Sequence, residues 1–185
     1  SLVFFQRFRG HGDPWEGEIQ TSLSATKNTI DYLADKFRPG ENCSVVAVSS
    51  IASHFIADEQ PLSYHVGKSG LGQIVRYYAV ELGRRGIRVN SVSPGTAVKE
   101  ESSEFYAQNR ELRELYESIT PLRRMGTAAD VANVVAFLCS PQASFVTGQN
   151  IVVDGGVSLR GQESFARKLT IGSLKDNIEP ERESE

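Results

Sequence analysis

The sequence predicts an α/β protein built on a parallel sheet with helices on both faces. Short apolar runs of strand length alternate with longer helix-prone segments along the chain. The run Cys43 to Val48 (CSVVAV) shows no polar alternation, as expected of a strand covered on both sides. Pro39-Gly40, Gly86 and Pro94-Gly95 punctuate the pattern where elements should end.

Taken in order, Leu2 to Phe5 reads as a short strand, broken by Gly10, Gly12, Asp13 and Pro14. A helix is expected from the late teens to Phe37, with Leu23, Ile30, Leu33 and Phe37 near helical spacing. Pro39 and Gly40 stop it. After the strand Cys43 to Val48, a loop from Ser49 to Pro61 leads into a long helix from about Leu62 to Arg84, which Gly86 closes. Ile87 to Val92 is the next strand, ended by Pro94-Gly95. Glu101 to Ile119 is polar, helix-prone and without a clean apolar stripe, so it reads as a cover over something. Ala128 to Leu138 is an apolar helix and Asn150 to Val153 a last strand, followed by the turn Asp154-Gly155-Gly156. The domain should occupy residues 1–156. Residues 157–185 should form a polar tail, flexible from about Lys175.

The composition excludes several classes. The 185 residues carry 20 basic and 23 acidic side chains and no dense basic stripe, which argues against nucleic acid as a partner. No apolar run has the length of a membrane span. The opening SLVFFQRFRG is apolar and then basic, the reverse of a secretory signal, so a cytoplasmic protein is expected. Cys43 and Cys139 form no CxxC pattern, so metal binding is not expected, and both read as buried free thiols.

Ligands in parallel α/β sheets sit beyond the carboxyl ends of the strands. The chemistry should therefore lie in the loops after Phe5, Val48, Val92 and Val153. The motif Tyr64-His65-Val66-Gly67-Lys68 falls on the long helix, where positions i and i+4 share a face. A phenol has a pKa of about 10, too high for ready proton exchange at neutral pH. A neighbouring ammonium favours the phenolate, so Tyr64 and Lys68 form a tunable acid/base pair. Ser49 and Ser50 end the strand upstream, where a hydroxyl can hydrogen-bond a substrate carbonyl. Ser93-Pro94-Gly95-Thr96 is a turn that brings backbone close to a flat ring.

These residues carry a resemblance. VVAVSSIAS (Val45 to Ser53), YHVGK, LGRRGIRVNSVSPG (Leu82 to Gly95) and the run from Pro121 to Gly156 together resemble the short-chain dehydrogenases/reductases. The likeness covers nearly the whole chain up to Gly156. It implies a Rossmann-type sheet and NAD or NADP as cofactor. The implied reaction is hydride transfer between that cofactor and a small-molecule alcohol or carbonyl. It implies that Tyr64 is the catalytic acid/base, that Lys68 lowers its pKa and holds the nicotinamide ribose, and that Ser50 positions the substrate oxygen. It also implies that Pro94, Gly95, Thr96 and Ala97 line the nicotinamide. Most members are homodimers or homotetramers that pair through the helix containing YxxxK and the helix before it.

The chain departs from the family pattern in several places. Gly10-His11-Gly12 begins a GxG, but Trp15 stands where the third glycine belongs and no βαβ unit is expected around it. The chain thus reads as a fragment starting at the family's fourth strand, with an incomplete sheet. The alternative reading is a non-catalytic homologue that serves as a binding or assembly subunit. The family's active-site asparagine falls at Ser22, whose hydroxyl can bond backbone and water with a shorter reach. One extra residue between Ser50 and Tyr64 makes Ser53 a rival for the serine role. FFQRFRG replaces the usual NNAG and brings Arg7 and Arg9. Lys99 stands where threonine is common, and reads as a solvated lysine.

Other motifs are set aside. Gly67-Lys68-Ser69 lacks the glycine and the strand of a phosphate loop, since Leu62 stands five positions before Gly67. His54 and His65 read as isolated, Glu100, Glu101 and Glu104 as an acidic helix start, and Asp154 as a turn residue. The polar cover leans towards polar substrates such as sugars or hydroxy-acyl groups.

Overall fold

The computed structural model describes residues 1–38, 41–98 and 100–175. The expected helix stop at Pro39-Gly40, Lys99 and the chain after Lys175 lie outside the described residues. Four strands form one parallel sheet in the order β1 (Leu2–Phe4), β2 (Cys43–Val48), β3 (Ile87–Pro94) and β6 (Asn150–Val153). Two further strands, β4 (Ala97–Val98) and β5 (Gly126–Thr127), make a separate parallel pair.

The alternation of side chains along β2 and β3 decides the layers. Val45, Ala47, Ile87 and Val89 join one core with Ile30 of α2 (Ala25–Ala34) and with Leu71, Val75 and Leu82 of α3 (Leu62–Gly83). Val46 and Val92 join the other, against Leu138 of α6 (Ala128–Cys139). Each such aliphatic side chain contributes ~1.5–3 kcal/mol by leaving water. Covered on both faces, β2 is apolar at both alternating sets of positions from Val45 to Val48, and its one polar residue, Ser44, is buried.

The first helical region begins earlier than its apolar spacing suggests. Asp13 caps α1 (Pro14–Glu18) by accepting from the Trp15 N–H at 2.9 Å, and Pro14 occupies the first turn, where its missing N–H costs nothing. A π-turn over Ile19–Ser24 then joins α1 to α2. The helix ends at Ala34 rather than Phe37. Because α1 and α2 connect the parallel strands β1 and β2, Gly10 and Gly12 do lie in a βαβ unit, contrary to the sequence expectation. The connection from β1 to α1 runs from Phe5 to Asp13, too long for the tight turn of a dinucleotide fingerprint.

β3 runs two residues beyond Val92, since Ser93 and Pro94 pair with Val152 and Val153. Proline can end this strand because the Gly95 N–H supplies the next bond, to the Val153 carbonyl at 3.0 Å. The polar cover is an excursion between β4 and β5, split at Asn109 into α4 (Glu100–Gln108) and α5 (Arg110–Ile119). Tyr106 stacks edge-on against Tyr116 at 6.1 Å and joins the two. The polar stretch after Gly156 contains a helix, α7 (Gln162–Lys175). Both cysteines are free; Cys43 is buried as expected, whereas Cys139 at the end of α6 is only partly buried. Among the described residues no helix is long and apolar enough to cross a membrane, and no cluster of metal-ligating side chains occurs.

Candidate active site

The carboxyl ends of β1, β2, β3 and β6 lie on one rim, and a cleft of about 970 Å³ runs from there along Val3 and the face of α6 as far as Cys139. Ser50, Tyr64, Lys68, Pro94, Gly95 and Ala97 all line it. Six of the eight residues singled out for catalysis or cofactor binding are thus brought together. Thr96 is exposed and outside that lining, and Ser22 is buried away from it.

The position of Lys68 follows from how α3 crosses the end of β2. Only 4% of Lys68 is exposed, and a buried ammonium needs acceptors. The Val48 carbonyl, at the last residue of β2, accepts from its Nζ at 3.1 Å. One residue later the Ser49 hydroxyl donates to the Lys68 carbonyl at 3.1 Å, and the Ser49 N–H donates to the Val92 carbonyl at 2.7 Å. β2, β3 and α3 are thereby locked at one point. The Tyr64 ring, one turn earlier, has its centroid 5.7 Å from Lys68 Nζ.

Ser50 starts a short 3-10 turn and accepts from the Ala52 N–H at 3.2 Å. The rival Ser53 turns back and donates to the Ser50 carbonyl at 2.6 Å. Ser50 lines the cleft and Ser53 does not. The loop before α3 is tied to the helix by His65. Its Nε2 accepts from the Ala57 N–H, so Nδ1 carries the proton and donates to the Pro61 carbonyl, both at 3.0 Å. His65, read from the sequence as isolated, is a buried clamp for this loop.

Ser22 sits inside the π-turn with 2% exposure. Its hydroxyl donates to Glu18, a carboxylate only 4% exposed that also accepts from the Phe8 N–H at 3.3 Å. Glu18 packs on the Tyr64 helix, where a Cβ placed on Gly67 would come within 3.2 Å of its Oε1. Spacing offered one signal for this pair, since Glu18 and Ser22 are four apart. Arg7 was also undervalued. Its guanidinium lies over the Tyr64 ring at 4.5 Å and donates to Gln60 Oε1 at 2.6 Å. No local periodicity announces that contact, which depends on the path of the loop after β1.

Asp154 is a turn residue, as read. It accepts from the Gly156 and Ser158 N–H groups at 2.8 and 2.9 Å. Burial pushes its carboxyl up, but the bonds from Ser158, Gly156 and its own backbone prevail and hold it below the ordinary carboxylate range. Asp154 also explains Gly95. A Cβ there would lie 2.7 Å from the Asp154 Cβ.

A family profile described as enoyl-(acyl carrier protein) reductase matches residues 10–158. The chain belongs to the short-chain dehydrogenase/reductase family. An L-rhamnose 1-dehydrogenase (NAD(P)(+)) of Sphingomonas is 41% identical over 65% of this chain and 46% of its own length. A tropinone reductase homologue of Arabidopsis thaliana is 34% identical over 82% of this chain and 57% of its own. The chain thus spans about half the length of these relatives. Among solved structures, a short-chain dehydrogenase/reductase of Mycobacterium ulcerans superposes with a TM-score of 0.72 at 36% identity, covering 80% of this chain and 53% of the other. A 3-oxoacyl-[acyl-carrier protein] reductase of Brucella melitensis with bound NAD gives 0.64 at 30% identity, covering 84% and 56%.

The chemistry of the lining is compatible with the nicotinamide end of such a dinucleotide. Pro94, Gly95 and Ala97 bring no bulky side chains to the cleft that Tyr64 and Lys68 also line. Among the described residues no glycine-rich strand–turn–helix of the fingerprint type is present for the pyrophosphate.

Proposed function

We propose that this chain carries the proton-transfer half of an NAD(P)-dependent oxidoreductase that interconverts an alcohol and a carbonyl. The observation that carries the reading is the placement of Tyr64 and Lys68 on one face of α3, with the ammonium fixed on the Val48 carbonyl at the mouth of the cleft. Tyr64 gives a proton to the carbonyl oxygen in reduction and takes it back in oxidation. Lys68 favours the phenolate electrostatically and holds the nicotinamide ribose. Ser50 donates to the same substrate oxygen, and Pro94, Gly95 and Ala97 line the nicotinamide, with Thr96 outside the lining. A bound reduced nicotinamide supplies the hydride. Ser22 and Glu18 brace the helix behind Lys68.

Substrates of the polar class, sugars or hydroxy-acyl groups, agree with the charged cover α4–α5 and with the sugar dehydrogenase among the relatives. Tyr32 on α2, with Tyr77 and Val80 on α3, is largely exposed, which supports a homodimer or homotetramer formed through these helices. The test uses the intact protein with C4-deuterated NADH or NADPH and a panel of carbonyl compounds. Deuterium on the carbinol carbon of a product is expected. A panel that consumes no dinucleotide, in either direction, contradicts the reading.

A further inference from the structure

The cleft has a sign opposite to that of the chain. The protein carries a net charge of −3, yet Arg7, Arg9 and Lys68 line the cleft and, among the described residues, no aspartate or glutamate does. A concave, partly apolar site lined by one sign of charge concentrates counter-ions of the other. Lys68 is committed to the Val48 carbonyl and the tyrosine face. Arg7 is differently placed. It enters from the loop after β1, with its Cζ over the Tyr64 ring at 4.5 Å from the centroid and one nitrogen donating to Gln60. A guanidinium has five N–H donors in a fixed fork that matches carboxylate and phosphate oxygens. Gln60 accepts from one nitrogen, and a guanidinium over a ring face keeps its other N–H donors for such a ligand.

We propose that Arg7 is an anion receptor of this cleft, binding a carboxylate or phosphate group beside Tyr64. The inference rests on the oxidoreductase reading for one of its two sources. Either the substrate is an oxo compound with a carboxylate or phosphate a few bonds from its carbonyl, or the anion is a phosphate of the dinucleotide. In the first case Arg7 determines specificity, because the phenol beneath it and the anion above it fix which carbon meets the hydride.

The shared chemistry is tested by calorimetric titration of the intact protein with inorganic pyrophosphate. Binding by the wild type and at least tenfold weaker binding by Arg7→Gln are expected, with Arg7→Lys in between because it keeps the charge and loses the fork. Equal affinity in wild type and Arg7→Gln, or no binding by the wild type, overturns the proposal. Two further arms separate the sources. If the substrate carries the anion, Arg7→Gln lowers the kcat/KM ratio of an oxo acid to its own methyl ester at least tenfold and leaves the dinucleotide Kd in place. If the dinucleotide carries it, Arg7→Gln weakens the dinucleotide Kd and leaves that ratio in place. An equal loss on acid and ester with an unmoved dinucleotide Kd overturns the receptor role. Should no carbonyl be turned over, the oxidoreductase reading fails while the pyrophosphate titration still decides the anion site.

Discussion

Replacing Gly95 by alanine tests the packing that shapes the cleft floor. The added methyl would stand 2.7 Å from the Asp154 Cβ, closer than real Cβ contacts come, and a tight 3.1 Å from its Cα. The obstacle is space, since Gly95 is not among the glycines with positive φ. Asp154 cannot swing aside cheaply, because its two carboxylate oxygens hold the N–H groups of Gly156 and Ser158. The backbone of the turn must move instead, and with it the bond from the Gly95 N–H to the Val153 carbonyl. Overpacking of this kind costs ~1–3 kcal/mol. For a chain of this size that lowers Tm by roughly 2–12 °C. Gly72 on α3 supplies the control, because a Cβ there meets nothing within 4 Å. Alanine at that helical site should gain ~0.5–1 kcal/mol. Thermal and urea unfolding followed by circular dichroism read both variants. A Gly95→Ala protein as stable as wild type, or a Gly72→Ala protein less stable than it, would refute the packing argument.

Three further outcomes follow from the same structure. Arg88 is buried in β3 and donates to the Leu138 and Ser140 carbonyls and to Asn42, and burial holds its pKa below the usual arginine range. Arg88→Met should orphan these acceptors at the end of α6 and cost ~1–3 kcal/mol in urea unfolding, and a cost near zero would show that they find other donors. Asp31 is held low by hydrogen bonds from Lys27 and then Tyr78, so its stabilising share is complete above the unfolded value of about 3.9 and is lost as pH falls through the lower folded one. Asp31→Asn should therefore flatten the acid limb of a stability–pH curve, and an unchanged limb counts against this pair. Tyr78 is pushed up by burial and then by Asp31, so its share is complete below about pH 10 and is lost as pH rises through the folded value; Tyr78→Phe should blunt the alkaline loss, and an identical alkaline limb would contradict the shift.

Much of the fold was legible because its signals are local. The apolar run of β2, the apolar composition of α6 and the Gly86 stop (φ 72°) after α3 each report on a few neighbouring residues. The π-turn was not legible, because one extra residue in a helical turn leaves no compositional mark. The start of α1 was written in Asp13-Pro14, but Gly17 and the polar residues around it blurred the apolar spacing. The site divides in the same way. Tyr64 and Lys68 could be paired from helical spacing alone, whereas Arg7 reaches Tyr64 across a loop whose path only tertiary packing sets. Glu18 was hidden for a related reason. A glutamate in a polar helical turn reads as solvated until the helix docks on Gly67 and buries it.

The central claim is that Tyr64 moves the proton while Lys68 holds it ready. The most direct measurement compares kcat for carbonyl reduction by the intact wild-type protein and by Tyr64→Phe, with the dinucleotide Kd of each determined by fluorescence titration. The account predicts that kcat falls by two to four orders of magnitude, roughly the contribution of a positioned acid/base, while the dinucleotide Kd stays within about threefold. A Tyr64→Phe protein that turns over at the wild-type rate would contradict it.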